Sequence, residues 1–140
     1  MKALATFFAA LVAAGDNRVF HPHPLTRQEA EERCGYAGLD LYYVLGAADR
    51  VLAYGMLRGW DAGFEVPSLG LAVDPQARGC GFGRLLLDFL HTAAARRGAE
   101  SVRLKVDRDN EPARRLYERA GYTLLDGPAN ELVGVLRVRR

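Results

Sequence analysis

The sequence predicts a mixed α/β (α+β) fold in which a mostly antiparallel sheet is flanked by four helices. Three observations carry this expectation. The apolar residues recur at three-and-four spacing up to Cys34, then alternate or run together from Leu41 to Val73. Short clusters of Gly, Pro, Asp and Asn separate the periodic segments, with no repeat, linker or low-complexity tract between them. A strand, a helix and a strand then follow at close spacing between Leu69 and Asp107, as in a βαβ unit with a parallel pair. With 140 residues, 49% apolar and 26% charged, the chain suits one domain, 1–140, with a real core.

Phe7, Phe8, Leu11 and Val12 mark one face of a first helix, stopped at Gly15-Asp16-Asn17. Pro22 and Pro24 force an extended path on which His21 and His23 sit. Thr26 with Glu29 three residues on is a capping box that opens a second helix to about Cys34. Leu41–Leu45 and Val51–Leu57 read as an antiparallel pair around Gly46–Arg50, and Phe64–Val73 as the third strand of a meander. Pro67 and Gly70 suit a regular ladder poorly, so an irregularity or bulge is expected there. A helix over about Gly83–Arg97 carries an apolar stripe of Leu86, Leu87, Phe89, Leu90, Ala93 and Ala94, with His91 beside it. Ser101–Asp107 alternates strictly and is the clearest strand. Asn110-Glu111-Pro112 starts a last helix whose inward face holds Ala113, Leu116, Tyr117 and Ala120. Tyr122–Leu125 and Glu131–Val138 close the sheet around Gly127-Pro128.

The stretch from Val73 to Leu85 has the chemistry of an anion site. Gly79, Gly81 and Gly83 let the backbone approach a ligand closely, the following helix offers unpaired N–H groups and its positive dipole end, and Arg78 and Arg84 add charge. By itself the loop fits either a phosphate cradle or a plain strand-to-helix connection. No Gly-Lys-Ser/Thr follows, which disfavours a P-loop. The formal charge of +2 is too mild to argue for nucleic acid and no Lys/Arg block is present, so no nucleic-acid partner is expected and any bound anion is expected to be small. Two cysteines, Cys34 and Cys80, form neither a disulfide framework nor a metal spacing, so a cytoplasmic location is expected. The apolar start is helical, one-faced and too short to span a bilayer, so it is read neither as a signal peptide nor as a membrane segment. His21-x-His23 lacks a third ligand nearby, and no metal is expected.

Two motifs together are decisive. Arg78-Gly79-Cys80-Gly81-Phe82-Gly83 before a Leu-rich helix, and Asn110-Glu111-Pro112-Ala113-Arg114-Arg115-Leu116-Tyr117 running to Gly121-Tyr122, resemble the signatures of the GNAT superfamily of acyl-CoA-dependent N-acetyltransferases. The resemblance covers Val51 to the end well and the first two helices more loosely. It implies a GNAT-like sheet, splayed between the family's fourth and fifth strands, and transfer of acetyl from acetyl-CoA to a primary amine by direct attack in a ternary complex. It implies that backbone groups of Leu71, Ala72 and Val73 pair with the pantetheine arm and that Arg78, Gly79, Cys80, Gly81, Phe82, Gly83 and Arg84 hold the pyrophosphate. Asn110 would orient the arm and the last helix. Tyr117 would be the general acid at the departing sulfur. Glu65 is the candidate base, with Asp61 in reserve. His21, His23, Arg58 and Trp60, with Tyr42 and Tyr54, come from segments that build the acceptor side, for a small-molecule or peptide amine. A non-catalytic acyl-CoA binding or sensing domain is the alternative, and Tyr117 argues against it. One departure stands out: the family's strand before the first helix is missing, which leaves a sheet edge bare and favours a homodimer.

Overall fold

The computed structural model describes residues 1–139. Helix α1 (Lys2–Ala13) buries Leu4, Phe7, Phe8 and Leu11 on one face, and Gly15, at φ 79°, turns the chain out of it. Helix α2 (Arg27–Cys34) opens with the Thr26 hydroxyl accepting from the Glu29 N–H at 3.1 Å, the first half of the expected capping box. Strands β1 (Leu41–Ala47), β2 (Arg50–Arg58) and β3 (Ser68–Val73) form an antiparallel meander. Helix α3 (Phe82–Arg97) leads to β4 (Ser101–Asp107), helix α4 (Glu111–Arg119), and a closing hairpin of β5 (Leu125–Asp126) and β6 (Glu131–Arg137). The sheet order is β1-β2-β3-β4-β6-β5, and β3–β4 is its parallel pair. The first element among the described residues is α1.

Each sheet face has its own core. On one, Leu86, Leu87 and Leu90 of α3 and Tyr117 of α4 pack on Leu69, Leu71, Val102 and Leu104. Gly55 sets that contact distance, because a Cβ built on it would stand 2.8 Å from a Leu90 methyl and 3.0 Å from one of Leu86. On the other face, α1 lays Phe7, Phe8 and Leu11 against Tyr54 and Met56 of β2. Beyond β3 that second face is bare of helix among the described residues, so Arg103, Lys105 and Val135 are exposed there.

Several boundaries differ from expectation for physical reasons. The third strand begins at Ser68 rather than Phe64, because Gly63 turns the chain at φ 87° and the Phe64 N–H bonds back to Gly59 C=O. No bulge interrupts β2–β3, whose register runs unbroken from Arg58↔Ser68 to Ala53↔Val73; the register shift lies in β1, between Leu45 and Gly46. Tyr122–Leu124 is not strand: the Tyr122 N–H returns to Tyr117 C=O, and the Tyr122 ring enters the core. Phe89 leaves the apolar stripe half exposed and meets Tyr43 edge-on, ring centroids 4.9 Å apart.

Candidate active site

The site grows from a defect in the sheet. β3 pairs with β4 only at Ser68↔Arg103 and Leu69↔Leu104, after which the two strands part. Polar groups of successive strand residues face opposite edges. Pro67 C=O accepts from Arg103 N–H at 2.9 Å toward β4, whereas Asp74 N–H donates to Leu52 C=O at 2.8 Å toward β2. Odd-numbered residues therefore face the gap, which leaves the N–H and C=O of Leu71 and the N–H of Val73 without a strand partner. Gly70 and Ala72 turn theirs to β2. The irregularity expected near Gly70 exists, on the β4 edge of the strand.

From Val73 the chain enters the glycine loop through Asp74, which is buried, accepts from Gln76 N–H at 2.8 Å and pairs with Arg50 at 3.2 Å. Gly79 and Gly81 hold φ of 78° and 86°, a region that L side chains rarely adopt, and a Cβ built on either meets nothing within 4 Å. An open cradle thus lies before α3. Gly81 caps the helix without a side-chain bond, and no acidic residue occupies the first turn, so its first N–H groups stay free. Cys80 is exposed, and Phe82 and Gly83 are half-buried; a Cβ on Gly83 would lie 3.3 Å from Leu116 and 3.5 Å from Val73, tying the helix start to α4 and β3. Arg84 pairs with Asp88 at 3.1 Å. Arg78 folds back to Asp16 and to Val73 C=O, the latter at 3.2 Å.

Asn110 caps α4, its side-chain oxygen accepting from Ala113 N–H at 3.4 Å. This helix carries Tyr117 inward, 3% exposed, and burial pushes its pKa up. The Tyr122 ring meets it edge-on at 5.9 Å, and the Tyr122 hydroxyl bonds His91 Nε2 at 2.8 Å. His91, expected as a packed helix residue, is thereby tied to the aromatic pair.

On the bare face the splay opens into a cleft of about 570 Å³. His21 and Arg58 line it, and Arg58 also donates to Pro22 C=O. Asp61 lines it too, but it accepts from Leu39 N–H at 2.8 Å and from the Tyr36 hydroxyl. Five residues expected on the acceptor side do not reach the cleft. Glu65 is exposed in the β2–β3 loop, where its neighbours Phe64 and Val66, also exposed, line the cleft instead. His23 lies under α1, with Nδ1 donating to Pro24 C=O at 2.8 Å and Nε2 accepting from the Tyr54 hydroxyl at 2.7 Å; burial lowers its pKa. Trp60 packs against the α3 core beneath the Arg97 guanidinium, 4.8 Å from its ring centre. Tyr42 and Tyr54 likewise belong to the α1 core.

The model of the Acetyltransferase (GNAT) family matches residues 11–122. The chain belongs to the GNAT family. Mycothiol acetyltransferase of Geodermatophilus obscurus is 34% identical over 120 residues, covering 76% of this chain and 38% of that protein. The chain thus spans about two fifths of the length of the curated relatives it matches first. Among solved structures, the GNAT domain of S. lividans PAT superposes with a TM-score of 0.82 at 14% identity, over 97% of this chain and 84% of that one. PaiA N-acetyltransferase from Thermoplasma acidophilum, in complex with coenzyme A, gives 0.65 at 16% identity over 81% and 69%.

The donor the GNAT family uses is acetyl-CoA, and the geometry here fits it. The open cradle at Gly79 and Gly81 can take a pyrophosphate, and the free Leu71 and Val73 groups can take an amide-bearing arm in strand fashion. Among the described residues no cluster of His, Cys, Asp or Glu could hold a metal ion, and no helix is long and apolar enough to cross a membrane. Residues that sequence reasoning missed are Arg103, Lys105, Asp107 and Glu131, all on the cleft wall. The signal for the first three was present in the alternation of Ser101–Asp107, which puts them on one face of an inner strand.

Proposed function

We propose that this chain is an N-acetyltransferase domain that moves acetyl from acetyl-CoA to a primary amine of a small molecule or peptide, by direct attack in a ternary complex. The observation that carries the reading is the β3–β4 splay opening directly beside the glycine cradle. Bound acetyl-CoA supplies a thioester carbonyl open to nucleophilic attack. Leu71 and Val73 hold the arm through their free backbone groups, with Ala72 between them fixing the strand to β2. The amides from Gly79 to Arg84 take the pyrophosphate, and Arg78 and Arg84 add charge beside it. Asn110 orients α4, whose buried face carries Tyr117 in the core that also holds Leu71. Tyr117, kept neutral by burial, donates its proton to the leaving sulfur.

An alkyl ammonium has a pKa near 10, so the amine must lose a proton before it attacks. Glu65 is exposed and does not line the cleft. Asp107 and Glu131 face each other across β4–β6 at the wide end of the splay. Asp107 already accepts from Asp109 N–H and Asn130 Nδ2, which leaves Glu131 as the proton acceptor, directly or through a water. A panel of primary amines assayed with acetyl-CoA for thiol release tests the reading. Turnover of at least one amine above the hydrolysis background is expected. Tight coenzyme A binding with no acceptor-dependent thiol release across the panel would leave a binding domain and refute the transferase.

A further inference from the structure

The cleft floor holds a group of cations that nothing in the acetyl transfer itself requires. Arg58, Ser68 and Arg103 stand in one row across β2, β3 and β4, and Lys105 is the next residue of β4 on the same face. All three basic residues line the cleft. None has a carboxylate within ion-pair distance among the described residues, whereas Arg50, Arg78, Arg84 and Arg108 all do. Arg103 and Lys105 repel each other along one strand face, with Arg58 one strand further off, and an anion seated among them offsets that repulsion. The cleft's own acids do not serve: Glu131, opposite Asp107, forms no ion pair with these cations among the described residues, and the others are bonded elsewhere. Asp40 accepts from the N–H groups of Gly59 and Asp61, while Asp61 and Asp107 cap loops as described above.

This group is separate from the pyrophosphate cradle. Five residue steps of extended strand separate Ser68 from Val73, about 17 Å of chain at roughly 3.3 Å per step, and the glycine loop begins only after that. It is close to the chemistry on the acceptor side: Lys105 and Asp107 are two residues apart on one face, about 7 Å, and Asp107 is opposite Glu131.

We propose that the acceptor carries an anionic group, a carboxylate or a phosphate, at a short distance from its amine, and that Arg103 and Lys105, with Arg58 at the edge, bind that group. The inference rests on the acetyltransferase reading of the cleft and narrows its substrate class. The amine end then reaches Glu131 while the anion stays at the cations, which fixes the acceptor's orientation and selects against neutral or purely cationic amines.

Two matched acceptor pairs test this, glucosamine 6-phosphate with glucosamine and 4-aminobutyrate with 4-aminobutanamide, each assayed with acetyl-CoA on the wild type and on Arg103→Gln/Lys105→Gln. At least one anionic member should exceed its neutral partner tenfold or more in kcat/KM, and which pair does so tells phosphate from carboxylate. In the double variant that ratio should fall below threefold. Equal turnover within both pairs, or a variant that lowers both members in proportion, overturns the inference and leaves the transferase standing. Titration of inorganic phosphate into the coenzyme A-saturated chain, read by side-chain nitrogen resonances of Arg103 and Lys105, is independent of turnover. Shifts that vanish in the double variant support the anion site even when no amine releases thiol, the outcome that would remove the transferase reading alone. No shift at either resonance, together with no preference for the anionic member of either pair, overturns the inference.

Discussion

Tyr117→Phe separates catalysis from folding with little ambiguity. The ring is 3% exposed, packed against Tyr122 and inside the α3–α4 core, and phenylalanine retains all of that contact. Burial is the cause of the hydroxyl's raised pKa. The variant's stability should stay within about 1 kcal/mol of the wild type. Loss of a positioned general acid costs about 10²- to 10⁴-fold in rate, or about 2.7–5.5 kcal/mol in barrier. The expected result is a kcat reduced at least a hundredfold, with coenzyme A affinity by calorimetry and the melting temperature nearly unchanged. The pH profile adds a second readout. A tyrosine whose pKa lies above its ordinary 10.0 stays protonated through neutral and mildly alkaline pH, so the wild type should show no alkaline loss from this group below about pH 10. A kcat within threefold of wild type, with an unaltered pH profile, would refute the role given to Tyr117.

Gly81→Val puts a branched side chain into the open cradle at a φ of 86°, and should weaken coenzyme A binding at least tenfold by calorimetry; unchanged affinity would remove the cradle from the site. Gly55→Ala drives a Cβ against Leu86 and Leu90 and should cost about 1–3 kcal/mol in urea unfolding by lifting α3 from β2. His23 and His91 are both lowered from the ordinary 6.5 by burial, so the folded state favours their neutral forms. The stability they contribute is present above about pH 6.5 and is lost as pH falls from there through their lowered folded values. The urea midpoint should drop between pH 8 and pH 5, and His91→Gln should remove part of that drop; a flat midpoint would contradict it.

What could be read from the sequence was local. Thr26 and Asn110 announce helix starts because a cap bonds an N–H only three residues away. Gly79 and Gly81 announce the cradle because the φ they adopt is a property of the residue itself. The strict alternation of Ser101–Asp107 announces β4 because strand side chains take opposite faces by geometry alone. The glycine loop, α3, α4 and the inward Tyr117 all followed from signals of this range.

The acceptor side was decided by contacts that no local pattern encodes. His23 is buried by Tyr54, 31 residues away, and Arg78 is turned by Asp16, 62 residues away. Glu65 sits where strand periodicity would place it on β3, but the turn at Gly63 and the Phe64–Gly59 bond take that segment out of the ladder and leave Glu65 exposed in a loop. The row of Arg58, Ser68 and Arg103 exists only through register between three strands, and alternation assigns a face without naming the neighbour across it. The splay itself is of the same kind. Pro67 and Gly70 marked the strand as irregular, but only the pairing of β3 with β2 on one edge and its loss from β4 on the other turned that irregularity into an opening.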